Sequence, residues 1–425
     1  MAVGLRVGWV VHRYGDRREA AELAYPDEEA YWRSARSLAA GEGLIDEFGY
    51  RATYMPAYPA FLAIWTGAEH PYWAGRLAQA VLAALAAPLA AALAWRWGRW
   101  ARNLPDHRTD ERREDDTEAE RHTLWMAAIA GLIVAFDPFL VFFSGLFLTE
   151  ALFAVVVIVG WWFVVGAARC DNAGRWCRNA VGAGALIAVG MWLRPAAVVL
   201  AGAAVLAVAI GRGRYLRRWA MAGVIIAVVV AGLFPWALRN RLTIGQWCWL
   251  TTRGGISLYD GLHAEAKGDS DLAHTKTIEA VQGVSETHWN AWFQARALED
   301  ARQDPVRVLK LAGHKFLRTW SLTPNVPEYR GGTPAIVSAV FMVFVLATAA
   351  VGWWVHRRAV HAWFVLLCPV AAVTVLHMVF VGSVRYRVPY VPLVAVLSAA
   401  GCAHLLRRRR QRTPKRTIAA GNVPG

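Results

Sequence analysis

The sequence is poor in cysteine and in acidic residues. Its five cysteines are scattered along 425 residues, without the paired spacing that a zinc site or a disulfide framework requires. The 31 acidic residues are outnumbered by 46 basic ones, but the excess arginine lies in short segments between apolar runs. That distribution indicates membrane topology and no nucleic-acid partner. A cleavable signal pattern is also lacking, because the apolar stretch 3–11 is interrupted by Arg6 and has no small-residue cleavage site.

Apolar and aromatic residues, in contrast, are abundant. The chain is 56% hydrophobic and contains 22 Trp, and its mean hydropathy of +0.30 exceeds that of a soluble domain of this length. Runs of spanning length occur at 72–97, 123–168, 180–211, 219–236, 333–355, 360–381 and 389–406. The stretch 1–11 is about half the length of a span, so we expect a truncated or short first span, or a start codon upstream of Met1.

The short basic segments predict the orientation in the membrane. The positive-inside rule places them in the cytoplasm. They are 96–122, 169–178, 212–218, 357–358 and 407–416. The runs 123–168 and 180–211 must then each cross twice, and Pro138, Gly145 and Pro195 supply the breaks. We therefore predict an all-α multi-span bundle of about ten crossings in the cytoplasmic (inner) membrane, with both termini cytoplasmic.

Two long polar segments remain for the outer side, and they predict extracytoplasmic juxtamembrane helices. In the first, Asp27 is expected to cap a helix over 28–40. In the second, helices are predicted over 285–302 and 305–320. One side of the helix 305–320, formed by Arg307, Lys310, His314 and Arg318, is predicted to face lipid phosphates.

These segments divide the chain into six regions. They are a first span (1–11), an outer loop (12–71), a transmembrane bundle (72–238), a small outer segment (239–332), C-terminal spans (333–406) and a basic cytoplasmic tail (407–425).

Ionisable residues near the outer ends of the apolar runs are the candidate site, because burying them is costly unless they are paired or used. They are Asp27, Glu28, Asp137, Glu150, Arg194, Arg239, Arg385 and Arg387, with Tyr386 between the last two. Arginines bind phosphate through paired hydrogen bonds, and a carboxylate accepts a proton from an attacking hydroxyl. The pattern therefore favours an enzyme that acts on a lipid-linked phosphate.

Each of these residues also has a purely structural explanation. Asp27 could serve only as a helix cap, and Glu150 could pair only with Arg194 inside the bundle. Arg385 and Arg387 could simply mark a helix end among the headgroups.

Several short motifs together resemble the GT-C superfamily of membrane glycosyltransferases, and specifically the bacterial relatives of protein O-mannosyltransferases and aminoarabinose transferases. The resemblance covers nearly the whole chain. The motifs are YPDEEAY (25–31), AGEG (40–43), MPAYP (55–59), GRLAQ (75–79), LTE (148–150), LRP (193–195), PWALRN (235–240), TRGGISLY (252–259) and RYRVP (385–389). Their order relative to the predicted spans carries the resemblance, since each alone is weak.

The resemblance implies a polyprenyl-phosphate sugar as donor, inverting transfer, and Asp27 as the general base. The acceptor would be a protein, lipid or polysaccharide outside the cytoplasm. Substrate-binding roles are then assigned to Glu28, Tyr58, Glu150, Arg194, Arg239, Arg385, Tyr386 and Arg387. Some relatives bind a divalent metal, but His263, His288 and His314 are separated in the sequence and do not support one. We predict no required cofactor.

Two other functions are compatible with the same residues. A lipid or solute transporter or flippase also carries charge on broken helices, although its charges lie near the midplane of paired repeats. A scaffold protein without catalysis would tolerate replacement of the outer carboxylates.

Overall fold

The computed structural model describes residues 1–15, 23, 25–103, 116–169, 172–210, 214–272, 275 and 278–412. Within these ranges the chain is helical and has no β-strand. The predictions for the loop 104–115, for Cys170 and for the tail beyond residue 412 lie outside the described residues. The α-helices are α1 (Ala2–Tyr14), α2 (Pro26–Ala39), α3 (Ala57–Ala63), α4 (Pro71–Ala84), α5 (Ala86–Arg102), α6 (Asp116–Ala135), α7 (Pro138–Ser144), α8 (Glu150–Arg169), α9 (Ala173–Leu193), α10 (Val198–Ala209), α11 (Tyr215–Ile244), α12 (Gly254–Leu262), α13 (Glu286–Gln303), α14 (Pro305–Thr319), α15 (Gly332–Val355), α16 (Val360–Val379), α17 (Val384–Arg387) and α18 (Val391–Arg412).

The protein is an all-α, multi-pass membrane protein, as the sequence predicts. Six helical stretches of the described residues are long and apolar enough to cross a membrane, and a bent pair brings the number to seven. The six are Pro71–Arg102, Glu150–Arg169, Tyr215–Ile244, Gly332–Val355, Val360–Val379 and Val384–Gln411. The count of about ten crossings stays a prediction.

Both long apolar runs break where proline predicts a break. Between α6 and α7 the chain bends by 51°, and the Asp137 side chain accepts hydrogen bonds from the backbone N–H groups of Phe139 and Leu140. Between α9 and α10, Arg194 is extended (φ −157°, ψ 136°) because Pro195 disfavours helical backbone in the residue before it. Each break sets an ionisable residue at a helix end.

Close helix crossings depend on glycine inside the bundle. A Cβ atom on Gly352 of α15 would lie 2.0 Å from the backbone oxygen of Leu397 on α18. A Cβ atom on Gly401 of α18 would lie 2.0 Å from the oxygen of Thr348 on α15. Such small-residue contacts let two helix backbones approach closely. Close packing of this kind favours helix association in lipid, where there is no hydrophobic driving force between helices.

The N-terminal helix α1 is fixed to the bundle by the arginine that interrupts its apolar stretch. The Arg6 side chain is fully buried and donates to the carbonyl oxygens of Val134 and Ala135. These are free carbonyls at the C-terminal end of α6, where a cation also interacts favourably with the helix dipole. Arg6 therefore stabilises the same break that Asp137 stabilises from the other side.

The segment 239–332 has a small hydrophobic core of its own, built from α12, α13 and the chain between them. Its buried members are Ile256, Tyr259, Leu262, Val281, Trp289, Phe293 and Ala297. The predicted helices 285–302 and 305–320 are confirmed to within one residue at each end. The six-region division of the chain stays a prediction.

The predicted basic face of α14 is only partly available to lipid. Arg307 donates to the carbonyls of Leu262 and His263, and Arg318 donates to the carbonyl of Gly382. The expectation that these two arginines face lipid phosphates is therefore wrong, because helix ends of the protein itself provide their acceptors. The most exposed large apolar side chains of α14 are Val306, Leu309, Phe316 and Leu317.

Lys315 joins the segment 239–332 to the bundle. Its Nζ atom, fully buried with the rest of the side chain, lies 2.6 Å from the carbonyl oxygens of both Gly261 and Val379. The two backbones also touch there, since a Cβ atom on Gly261 would lie 2.7 Å from the oxygen of Val379.

We expect Lys315→Met to lower the free energy of unfolding by about 2 kcal/mol or more, because two buried carbonyls lose their donor. Thermal denaturation in detergent measures this, with Lys310→Met, an exposed lysine of the same helix, as the matched control. Equal melting temperatures for the two variants would show that Lys315 does not join the two parts.

Candidate active site

The first turn of α2 directs three consecutive carboxylates into three different environments. Pro26 begins the helix, and acidic residues are favourable in the turn that follows because they oppose the positive end of the helix dipole. Successive residues point about 100° apart around a helix. As a result Asp27 faces Arg385, Glu28 is buried and accepts from the backbone N–H of Phe147, and Glu29 pairs with Arg33 at the surface.

The predicted capping role of Asp27 is wrong. Tyr25 is the N-cap residue, in an extended conformation, and no side chain caps this helix end. The Asp27 carboxylate instead lies 2.5 Å from an Arg385 guanidinium nitrogen, Nη1.

Glu150 and Arg194 meet because α8 and α9 pack against each other, with the start of α8 beside the end of α9. Glu150 is the first residue of α8, and its side chain is fully buried. Arg194 leaves the end of α9 in its extended conformation and places Nη1 3.3 Å from Glu150 Oε1. A buried carboxylate is stable here because it has a cationic partner and lies at a helix N-terminus.

Arg385 connects the two carboxylates. Its Nη1 donates to Asp27, and its Nε donates to the same Glu150 oxygen that Arg194 contacts. The turn that carries it, α17, is held by Asn325 of the segment 239–332, whose Oδ1 accepts from the backbone N–H of Val384 at 2.6 Å. Four separated parts of the chain thus meet in one network of ion pairs, which we call the site cluster: Asp27, Glu150, Arg194 and Arg385.

Aromatic rings form one wall of the site cluster. The Arg194 guanidinium lies 5.5 Å from the centre of the Tyr386 ring, within the range of a cation–π contact. Tyr386 in turn stacks on His377 with ring centres 3.8 Å apart. This predicted substrate-binding tyrosine is therefore beside the cluster and orients one of its arginines.

Arg253 also belongs to the site, although the sequence does not single it out as a candidate. Its guanidinium donates to the Tyr54 hydroxyl, and the Tyr54 ring contacts Tyr31, one helical turn from Asp27. A signal for Arg253 exists in the sequence, since it lies in the TRGGISLY motif near the start of the segment 239–332. Only folding brings that segment over the first turn of α2.

Arginine charge keeps Asp27 ionised. Desolvation raises the pKa of this carboxyl group, but the charges of Arg385, Arg253 and Arg194 outweigh it and hold the pKa of Asp27 below its ordinary value. The Asp27 side chain retains 41% of its surface exposed, against none for Glu150. Asp27 is thus the carboxylate of the cluster that a second molecule can reach.

Two other predicted residues support the site from behind. Glu28 holds the turn before α8 through its 2.7 Å hydrogen bond from Phe147 N–H. Tyr58 is fully buried and donates to Gln79 Oε1 at 2.6 Å, while Gln79 donates to the carbonyls of the same turn. Because both side chains are fully buried, neither can contact a substrate in this arrangement. The prediction that they bind substrate therefore needs correction.

Arg239 and Arg387 do not join the site cluster. Arg387 follows Arg385 by two residues in α17, so it points about 200° away around the helix. It is buried between the rings of Phe139 and Trp320 and donates to the Thr319 carbonyl at 3.0 Å. Arg239 donates to the carbonyl of Arg51 at 2.6 Å.

That no metal is required stays a prediction from the sequence. Among the described residues, no three His, Cys, Asp or Glu side chains are close enough to hold a metal ion. Asp27 and Glu150 approach each other, but Arg385 lies between them. This donor set does not fit a divalent cation.

Comparison with solved structures identifies the architecture. The oligosaccharyltransferase of Archaeoglobus fulgidus in complex with zinc and sulfate matches with a TM-score of 0.52 and 14% identity, over 97% of this chain and 50% of that one. Its apo form matches with a TM-score of 0.52 and 14% identity, over 96% and 51%. The chain shares the fold of this oligosaccharyltransferase, as its resemblance to GT-C glycosyltransferases implies.

The chain spans about half the length of the oligosaccharyltransferase that it matches. A second similar structure is ArnT from Cupriavidus metallidurans bound to undecaprenyl phosphate, with a TM-score of 0.36, 14% identity, and coverage of 95% of this chain and 78% of that one. No family model and no curated protein matches the sequence.

Proposed function

We propose that the protein is a membrane glycosyltransferase that transfers a monosaccharide from a polyprenyl-phosphate donor to an extracytoplasmic acceptor. The observation that carries the proposal is the ion pair between Asp27 and Arg385. It joins an ionised, partly exposed carboxylate to a cluster of guanidinium groups, inside a GT-C fold.

The chemistry requires one base and a cationic phosphate site. Asp27 takes the proton of an acceptor hydroxyl, whose oxygen attacks the anomeric carbon of the donor sugar. The bond from that carbon to the phosphate oxygen breaks, and polyprenyl phosphate leaves with the electron pair. A single displacement of this kind inverts the configuration. No general acid is needed, because phosphate is already a good leaving group, unlike the alkoxide that a glycosidase expels.

Each residue of the site has a role that follows from its position. Arg194, Arg253 and Arg385 bind the phosphate and stabilise the charge that grows on it. Glu150 orients two of these arginines, and Tyr386 flanks Arg194. Glu28 and Tyr58 hold the turn before α8, while Arg239 and Arg387 stabilise the fold around the site. No metal ion is assigned a step.

A transfer assay tests the function. Purified protein in liposomes, given radiolabelled polyprenyl-phosphate sugars and extracts of cell-envelope acceptors, is expected to move label from the lipid to an acceptor. Movement of intact donor across the bilayer without transfer would favour a flippase instead. Loss of label from the lipid only when the protein is present identifies the sugar that it accepts.

The orientation needs a separate measurement. We place the site and the segment 239–332 outside the cytoplasm. The variant Glu265→Cys should then react with an impermeant maleimide added to intact cells, whereas Arg214→Cys should not. Glu265 and Arg214 are suitable positions because both are exposed, unlike His263. Both substitutions are made in a protein whose five native cysteines are changed to serine. Labelling at 214 alone would reverse the orientation.

A further inference from the structure

Arg385 contacts the proposed base, Asp27, and is also a proposed ligand of the donor phosphate. Its Nη1 lies 2.5 Å from Asp27 Oδ2, and its Nε contacts Glu150 Oε1. We propose that the donor phosphate displaces Asp27 from Arg385, so that donor binding releases the base and precedes binding of the acceptor. This inference rests on the proposed function, and it concerns the order of events at the same site.

The displacement follows from what a base must do. An oxygen that is occupied by a charge-assisted hydrogen bond is a poor acceptor for the proton of a hydroxyl group. Arg385 contacts Oδ2 of Asp27, and this ion pair stabilises the ionised carboxylate, which makes Asp27 a weaker base. Release from Arg385 therefore makes Asp27 a better acceptor for the proton of the hydroxyl group. A phosphate oxygen is the competing ligand with matching geometry, because guanidinium groups bind phosphates and carboxylates through the same paired N–H groups.

Asp27, and not Glu150, is the carboxylate that leaves Arg385 when phosphate binds. Glu150 is fully buried and holds two arginines, Arg385 and Arg194, so its release would leave a buried charge without a partner, which is costly. Asp27 has a side chain that is 41% exposed, and among the described residues Arg385 is its ion-pair partner within hydrogen-bonding distance. Water or the acceptor hydroxyl can replace that partner at small cost.

The charges of the site are consistent with this exchange. Arg194, Arg253 and Arg385 carry three positive charges against two negative ones on Asp27 and Glu150, which leaves one positive charge for a phosphodiester with one negative charge. During transfer Asp27 gains a proton and loses its charge, while the departing phosphate gains one. The negative charge thus moves from Asp27 to the phosphate that has replaced it at Arg385, and the net charge of the cluster with its bound phosphate is constant throughout the step.

The test measures lipid binding without turnover. Undecaprenyl phosphate is titrated into nanodiscs that contain the wild type, Asp27→Asn or the control Glu29→Gln, and bound lipid is counted by native mass spectrometry. We expect Asp27→Asn to bind the lipid about tenfold more tightly than the wild type, because the phosphate has lost its competitor, and Glu29→Gln to bind as the wild type does. A tenfold change corresponds to about 1.4 kcal/mol.

Two outcomes separate this inference from the proposed function. If the wild type transfers sugar and Asp27→Asn binds the lipid no more tightly, the exchange is refuted while the transferase assignment stands. If the wild type neither transfers sugar nor binds undecaprenyl phosphate, the function itself fails and the exchange fails with it. Tighter binding by Asp27→Asn together with lost transfer supports both.

Discussion

Replacing Asp27 with asparagine is expected to abolish sugar transfer, with a fall of about a thousandfold or more, while the protein level is unchanged. Asparagine retains the size of the side chain but cannot accept a proton, and a positioned general base contributes about 10²- to 10⁴-fold. The loss of one negative charge beside Arg385, Arg253 and Arg194 adds to the effect, since it changes the net charge of the site cluster. The measurement is the initial rate of transfer from a labelled polyprenyl-phosphate sugar, per amount of folded protein in the membrane.

The first turn of α2 provides its own controls for that experiment. Glu29→Gln changes a carboxylate two residues away that faces Arg33 at the surface, so transfer should be close to that of the wild type. Glu28→Gln removes the charge that accepts from Phe147 N–H, so it should lower thermal stability more than it lowers transfer per folded protein. Full activity in Asp27→Asn would reject Asp27 as the base and leave it the role of an ion-pair partner.

The second large effect is expected at Arg385. We predict that Arg385→Gln lowers transfer by about 10²- to 10³-fold, the usual loss when one preorganised donor to a developing charge is removed. Arg387→Gln, two residues away in the same motif, should instead lower the melting temperature, because its partner is the Thr319 carbonyl in the interior. Transfer rates and melting temperatures of the two variants in one detergent separate the roles.

A combined variant shows whether the Arg385 effect is chemical. Arg385→Gln leaves Glu150 buried with Arg194 as a partner at 3.3 Å, so part of its effect could come from destabilisation. Adding Glu150→Gln removes the poorly compensated charge and should restore stability without restoring transfer. Recovery of transfer in the double variant, or loss of transfer in Arg387→Gln at normal stability, would move the phosphate site away from Arg385.

Much of the architecture follows from local patterns in the sequence. Apolar runs of spanning length predict a membrane bundle. The bilayer interior contains no water, so a single segment that crosses it must form a helix to hydrogen-bond its backbone N–H and C=O groups. Pro138 and Pro195 predict the two breaks because proline removes a backbone donor and restricts the preceding residue. Asp304 and Pro305 predict the start of α14, and Asp304 does accept from the backbone N–H of Arg307. These features depend on neighbours along the chain.

The partners of the charged residues depend on the tertiary structure instead. By itself the sequence placed carboxylates and arginines near the outer ends of helices, but it gave Asp27 a capping role and treated Arg385 and Arg387 alike. Folding separates these two arginines because they point to opposite sides of one short helix, and it brings Arg253 to Asp27 from more than two hundred positions away. The sequence therefore determined which charged residues are costly to bury. Only the packing of distant helices decided which of them form ion pairs that offset this cost, since an ion pair forms between residues that are close in space and not along the chain.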